Sequence, residues 1–502
     1  MTQRRDVVVV GSGPNGMAAA IVCAAAGLSV EVIEGQPVPG GGCRTVELGL
    51  DTGEYLRHDL CSAVHPMAVA SPFFRSIGLP ERVGFGQPDI AYGHPLDGGR
   101  AGVAYRDLQR TVDELGGAGA ADGRLYRRVM KPLVDGVDTV RDIGLSDVRT
   151  LPTSVLRPSG LRATAVMGAR ILEVGTPMWD RLTAAPITGA LITGVAAHAN
   201  TTIPSLAGAA TALLLGTLAH SHGWPIPIGG SQSITDFLLA EFTARDGVLT
   251  CDRPISDSAQ LPPARAYLFD TNPWTLEHVF GHRLPARYRR ALDQFKPGSG
   301  SAKVDFTLSA PVPWADERLA GAGTVHVGGD RGQMAEAEGR TAAGQHSDTP
   351  MTLVSQPTVV DESRKGRGGE LPLWSYAHVP NGSTRDMTEV VTKQIERFAP
   401  GFRDVVIGSR CIPAAEMSRH NANYVGGDIA AGQVSMYRIA ARPVPRWDPY
   451  RTPLGNVYLC SASTPPGPGV HGMCGVHAAS RVLRQRFGID TMPDFAASRV
   501  RD

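Results

Sequence analysis

Apolar and polar positions divide the chain into a few distinct kinds of stretch. Val7-Val8-Val9-Val10 is a run of β-branched residues with no polar interruption, too apolar for a strand with one wet face, so it predicts a strand covered on both sides. Small and apolar residues over 17–26 predict a helix, and Ser29-Val30-Glu31-Val32-Ile33-Glu34 a second strand. Strand, helix and strand within about 30 residues form a βαβ unit and a parallel sheet. Similar logic gives strands at 248–251, 264–269 and the apolar run from Val457, and helices over 108–115, 232–245 and 470–487. Strict alternation in Val304-Asp305-Phe306-Thr307-Leu308 and in Thr324-Val325-His326-Val327-Gly328 predicts half-covered strands of a second, antiparallel sheet. The stretch 187–218 is apolar with few charges, with Leu191, Ile192, Val195, Leu206, Leu213, Leu214 and Leu218 among alanines and glycines. Its helices could roof a tunnel, dock shallowly on a membrane, or pack as ordinary core.

The turn between the first strand and helix is Gly11-Ser12-Gly13-Pro14-Asn15-Gly16. GxGxxG alone is weak, but here it follows a buried strand, opens a helix and is followed about 20 residues on by an acid, Glu34. Gly11 permits the tight turn, Gly13 lets backbone approach a pyrophosphate, and Gly16 lets helix and strand close up, with Pro14 and Asn15 between them. Phosphates then sit at a helix N-terminus, where free N–H groups favour negative charge. Glu34 would accept from ribose hydroxyls and repel a 2'-phosphate, which disfavours NADP.

Two further segments select FAD. Pro39-Gly40-Gly41-Gly42-Cys43-Arg44-Thr45 resembles the glycine pair and arginine that amine-oxidase and phytoene-desaturase flavoproteins carry after the ribose-binding acid, with one extra glycine. Gly41 and Gly42 would pass beside the phosphates and Arg44 would hold their charge. The strand from Val457 runs into Ser463-Thr464-Pro465-Pro466-Gly467-Pro468-Gly469-Val470-His471-Gly472, which resembles the closing FAD motif of the phytoene desaturases. With these, the chain resembles over its whole length the phytoene-desaturase-like FAD oxidoreductases, within them the pyridine-nucleotide-disulfide-oxidoreductase-domain 2 type of the carotenoid and retinoid oxidoreductase group. The resemblance implies non-covalent FAD, with Gly469, Val470, His471 and Gly472 against the flavin ring. Ser463 stands where many flavoproteins carry an aspartate. Cys43, Cys61 and Cys474 lack the context of a covalent flavin tether.

The expected fold class is α/β: a Rossmann-type FAD-binding domain, glutathione-reductase/amine-oxidase-like, with an interwoven α+β substrate domain. The FAD domain is expected from 1–83, 223–274 and 429–502, and the substrate domain, with a helical part, from 84–222 and 275–428. Gly117-Ala118-Gly119-Ala120-Ala121-Asp122-Gly123 lacks a preceding strand, so it reads as a helix–helix connection with Asp122 capping the next helix. Only one dinucleotide site is then expected, and oxygen, a quinone or the substrate itself would recharge the flavin. The biased stretch 330–344 reads as a surface loop or short helix, and 254–263 as a shortened loop where relatives carry a β-meander.

Length and composition fit a large enzyme of several interwoven units: 502 residues, 42% hydrophobic and 19% charged. The formal charge of +1 gives no nucleic-acid footprint. Arg4-Arg5 precedes a strand rather than an export signal, and no apolar run reaches the ~18 residues of a membrane span. Seven cysteines without CxxC pairs read as reduced thiols in a cytoplasmic protein, with peripheral membrane contact as an addition. His278 and His282 have helical metal-pair spacing, but Val279 stands where a catalytic glutamate is needed, so no metal is expected. Candidates beside the flavin are His65, then His471, then Tyr376 with His378. The expected activity is desaturation of a hydrophobic, isoprenoid-like substrate by hydride transfer to flavin N5. Alternatives are polyene isomerisation or saturation, amine oxidation, and a non-catalytic flavin-binding interaction protein.

Overall fold

The computed structural model describes residues 4–50, 53–179, 185–281 and 283–495. Two sheets organise it. The first is five-stranded and parallel, in the order Val457–Leu459, Ala264–Phe269, Arg5–Val10, Val30–Ile33, Val248–Thr250. Three distant parts of the chain therefore supply one sheet, and the four valines show why the run is continuously apolar. Val7 and Val9 enter the core with helix Pro14–Ala25, while Val8 and Val10 enter a second core on the opposite face. Helices Gln232–Thr243 and Met473–Val482 pack beside Pro14–Ala25. On the other face lie helices Pro273–Phe280 and Ala286–Asp293, through Leu276, Val279, Phe280 and Leu292. Residues expected to open the second insert at 275 thus cover the first sheet, because that face would otherwise leave Val8, Val10, Ile33 and Phe269 wet.

The second sheet has seven strands, in the order Val406–Ile412, Gly300–Leu308, Leu371–Val379, Thr352–Ser355, Ala322–Val327, Ile90–Leu96, Arg100–Tyr105. Its pairs are antiparallel except Ala322–Val327 with Ile90–Leu96. One face packs on helix Thr388–Glu396 through Val391 and Ile395, together with Phe398 and Phe402. The other carries Tyr92, Leu353, Trp374 and Tyr376 towards a helical layer. Both alternating runs lie in this sheet, but flanking layers bury every residue of Gly300–Leu308 and Ala322–Val327.

The apolar stretch 187–218 forms helices Pro186–Ala196 and Leu206–Ser221, and the first is buried along its length. Leu191, Ile192, Val195, Leu213 and Leu218 are core, while Leu214 lines a cavity, so these residues pack largely as interior. The glycine-rich connection does join two helices, Leu108–Ala118 and Ala120–Asp135. Asp122, however, is not the cap of the second, which begins on Gly119. Its carboxylate accepts from the Thr188 N–H at 2.7 Å, in the first turn of Pro186–Ala196. The stretch 330–344 contains the helix Arg331–Ala342, opened by an Asp330–Gln333 capping box. His282 lies outside the described residues, so the His278 spacing has no structural counterpart here. No described group of His, Cys, Asp or Glu is arranged to hold a metal. Among the described residues no helix is long and apolar enough to cross a membrane.

Candidate functional site

The glycine turn has the geometry its spacing predicts. Gly11 has φ 101°, and a Cβ there would lie 2.8 Å from the Asp270 carbonyl oxygen. Gly13 caps the helix from extended backbone, Pro14 takes the first helical position, and a Cβ on Gly16 would overlap the Gly11 carbonyl. Glu34 closes the second strand: one oxygen accepts from Ser12 N–H (2.9 Å) and Ser12 Oγ (2.5 Å), the other from Gln36 N–H (2.9 Å). A carboxylate has about four acceptor sites, so room for a ribose hydroxyl remains.

A cavity of about 770 Å³ begins at this turn. Gly11, Gly13, Pro14, Asn15, Glu34, Gly41 and Gly42 form its nucleotide end. Buried Asn15 Oδ1 has no partner there, and a Cβ on Gly41 would lie 3.1 Å from Gly13 Cα. Two facing glycine backbones at a helix N-terminus fit a pyrophosphate, and the free Asn15 Oδ1 can accept from a hydroxyl of a dinucleotide. Asp270, at the end of strand Ala264–Phe269, accepts from Gly16 N–H at 2.8 Å. Burial first and then Glu34 push its carboxyl well above the usual range. Asp270 directly follows the strand that the pattern predicts at 264–269, and nothing in the sequence marks its side chain as the group under the helix N-terminus.

Several predicted residues sit differently. Arg44 is not on the cavity wall. Its guanidinium donates to the carbonyls of Gly41 (2.9 Å), Val38 (3.4 Å) and His420, so it shapes the glycine loop instead of facing phosphates. The extra glycine has a cause: Tyr424 Oη occupies the place of a Gly42 side chain. Ser463 is buried behind the wall, donating to Ala431 O at 3.2 Å, while Ser461 and Ala462 face the cavity. Gly469 and Val470 also line it. Gly472 (φ 70°) is the N-cap of Met473–Val482. His471 is used locally. Its Nδ1 accepts from Met473 N–H (3.0 Å), leaving Nε2 to donate to Gly467 O (3.2 Å). Burial pushes its pKa down to about 4. A histidine with both nitrogens engaged in holding its own loop has no lone pair for chemistry.

His65 differs. Ser231 Oγ donates to Ser62 O (2.6 Å) and so accepts from His65 Nε2–H (2.8 Å), which makes Nδ1 the lone-pair nitrogen. That nitrogen is buried and unpartnered on a cavity-lining residue, and burial lowers the pKa to about 4. Tyr376 lines the same cavity, edge-on to Trp374 at 5.1 Å. His378 stacks behind it, its Nδ1 2.7 Å from Glu338 and off the wall. The sequence gave no sign of His198, which lines the cavity with Nε2 2.8 Å from His326 Nε2.

His65 is supported from behind. Asp59 accepts from Ser231 N–H (2.8 Å) and Thr45 Oγ1 (2.7 Å), and pairs with Arg364 at 2.7 Å. Arg364 also holds Asp361 at 3.2 Å, and all three side chains are buried. Replacing Arg364 by methionine strands two buried carboxylates. The expected loss is about 3–5 kcal/mol of folding stability, read from the denaturant midpoint. A loss under about 1 kcal/mol, the level of a surface pair, would refute this role.

A family model for the NAD(P)-binding Rossmann-like domain matches residues 9–75. Pyridine nucleotide-disulfide oxidoreductase domain-containing protein 2 of Rattus norvegicus is 24% identical over 548 residues, covering 95% of this chain and 93% of the relative. Among solved structures, an oxidoreductase from Methanosarcina mazei aligns with TM-score 0.57 at 14% identity, over 95% of this chain and 100% of its own. Putrescine oxidase aligns with TM-score 0.56 at 15% identity, over 96% and 98%. The chain is thus similar over nearly its whole length to pyridine nucleotide-disulfide oxidoreductase domain-containing protein 2, and it is built on a fold with a Rossmann-like nucleotide-binding domain that has an oxidoreductase and an amine oxidase among its structural neighbours.

Proposed function

We propose that the protein is an FAD-dependent oxidoreductase that dehydrogenates a hydrophobic substrate, isoprenoid-like in character. The observation that carries this reading is the single cavity, which joins the glycine turn to an apolar wall formed by Ile171, Leu214, Trp224, Trp374, Tyr376 and Ile439. FAD would supply the hydride-accepting ring. Gly11, Gly13, Asn15, Glu34, Gly41 and Gly42 would hold its nucleotide half, and Gly469 and Val470 would lie along the rest. The apolar wall aligns the substrate and keeps water from the reacting carbon. His65 Nδ1 offers a lone pair on that wall, able to take a proton or a hydrogen bond.

Amine oxidation is the second reading, favoured by the likeness to putrescine oxidase. Against it, the carboxylates on the wall among the described residues are Glu34 and Asp270, both at the nucleotide end, so none of them awaits an ammonium group in the apolar part. Exposed Leu151, Leu156, Leu161 and Leu172 lie on and just before helix Pro158–Val174, whose Met167 and Ile171 line the cavity. These leucines would be the surface for any peripheral membrane contact.

The test is anaerobic mixing of the purified flavoprotein with a panel of polyenes and amines. Bleaching of the flavin absorption by a polyene is expected, followed by recovery with oxygen or a quinone. Bleaching by amines alone would replace the reading with amine oxidation. Bleaching by none would move it to isomerisation, saturation or a non-catalytic role, and protein that takes up no flavin would refute it.

A further inference from the structure

Arg442 is the most anomalous side chain of the cavity. It is 1% exposed, yet among the described residues no carboxylate pairs with it. Both donors of Nη2 are spent on carbonyls, Ala430 O at 2.9 Å and Ala431 O at 2.8 Å. Nε and Nη1 are buried with no partner. Asp428 acts on this charge through space without a hydrogen bond to it, because its oxygens accept from the N–H groups of Gly298, Ala430 and Gly432 at 2.7–2.8 Å. Burial lowers the guanidinium pKa to about 10, so it stays charged at neutral pH. Arg442 lines the cavity with Ala430, Ala431, Pro466 and Pro468, and its Nη1 lies 3.7 Å from where a Gly467 Cβ would stand. A desolvated cation at a cavity wall, met only through space by Asp428 and by the Phe295 ring 5.7 Å away, keeps two unused donors that a ligand anion can satisfy.

We propose that Arg442 is an anion-binding point, and that its occupant is the carboxylate end of an otherwise apolar substrate. This rests on the dehydrogenase reading and sharpens it: the substrate is an amphipathic acid, not a plain hydrocarbon. The wall agrees, because Ile429, Val434, Met436 and Ile439 line the cavity from the stretch that leads into Arg442. The chain from Ile429 to Trp447 also holds Arg438, Arg442 and Arg446 and no acidic residue. An anion therefore meets no like charge from this stretch, whereas an amine would meet repulsion.

An anionic edge of the flavin could answer the same guanidinium, and the experiment separates the two. Palmitate, methyl palmitate and hexadecanol are titrated calorimetrically into the flavin-loaded protein, into the same protein stripped of flavin, and into Arg442→Met and Arg442→Lys. Wild type is expected to bind palmitate at least ~30-fold more tightly than the ester or alcohol, about 2 kcal/mol, with or without flavin. Arg442→Met is expected to erase that preference at unchanged flavin content, and Arg442→Lys to keep part of it. Equal binding of acid and ester by wild type would overturn the proposal, and this arm needs no variant to fold. Unchanged preference in Arg442→Met, or loss of flavin in its place, would overturn it in favour of the cofactor as the partner. Neither result bears on bleaching by neutral polyenes, so the dehydrogenase reading stands or falls separately.

Discussion

Replacing Gly13 by valine is expected to empty the nucleotide site while leaving the fold standing. Of the three glycines of the turn, Gly13 alone can take a side chain without backbone strain, since its φ of −62° suits any residue, whereas Gly11 at 101° does not. Gly16 has no space, because the Gly11 carbonyl stands there. At Gly13 a Cβ would lie 2.6 Å from Asp270 Oδ2 and otherwise enter the cavity. Overpacking of this kind costs about 1–3 kcal/mol, which a domain of ordinary stability survives. The cofactor does not survive it, because valine methyls take the space where backbone must approach the pyrophosphate. Flavin affinity should fall at least ~100-fold, about 2.7 kcal/mol, so purified Gly13→Val should be colourless with wild-type far-UV circular dichroism. A yellow Gly13→Val protein would place the flavin elsewhere. A colourless one that still restores a cellular phenotype would favour an interaction protein over an enzyme.

What could be read from the sequence was what depends on short spacing. Gly11, Gly13, Gly16 and Glu34 declare a nucleotide turn because turn, cap and ribose acid lie within one βαβ unit, and strand Ala264–Phe269 has the bounds its pattern predicts. Partners far apart in the chain were not legible. Asp59 and Arg364 are 305 residues apart, and neither periodicity nor motif connects them. Arg44 stood in the right motif, but its direction depends on the His420 carbonyl, 376 residues away. Helix Pro186–Ala196 shows the limit of hydropathy: an all-apolar helix looks the same whether it meets lipid or protein, and here the sheet and neighbouring helices cover it. Arg442 had no signal, since an arginine between Ala441 and Pro443 reads as a solvated loop residue until its burial is known.

Burial also predicts how the protein responds to acid. His65, His94, His220 and His471 are all buried, and desolvation, named first for each, lowers each pKa from 6.5 to about 4. The folded value lies below the unfolded one, so the unfolded chain takes up protons first as pH falls. Stability contributed by these neutral imidazoles is therefore fully present above about pH 6.5, is lost as pH falls from there to about 4, and changes no further below. At pH 5 each group has crossed about 1.5 units of that window, worth ~2 kcal/mol at 1.36 kcal/mol per unit. His198 and His326 act in the same direction: desolvation lowers both first, and then His378 acts on His198, and His198 with His94 on His326. The buried carboxyls of Asp270 and Asp428, which burial raises, oppose this trend, because the folded chain binds their protons before the unfolded one does. Urea titrations from pH 8 to 4.5 should show a flat midpoint down to about pH 6.5 and then a fall. Substituting His94 by glutamine, which can keep a donor to Gly329 O but cannot take up the proton, should flatten that slope by about one proton's worth. A midpoint that holds level through pH 5 would mean that these imidazoles are charged or solvated in the folded protein, contrary to their burial.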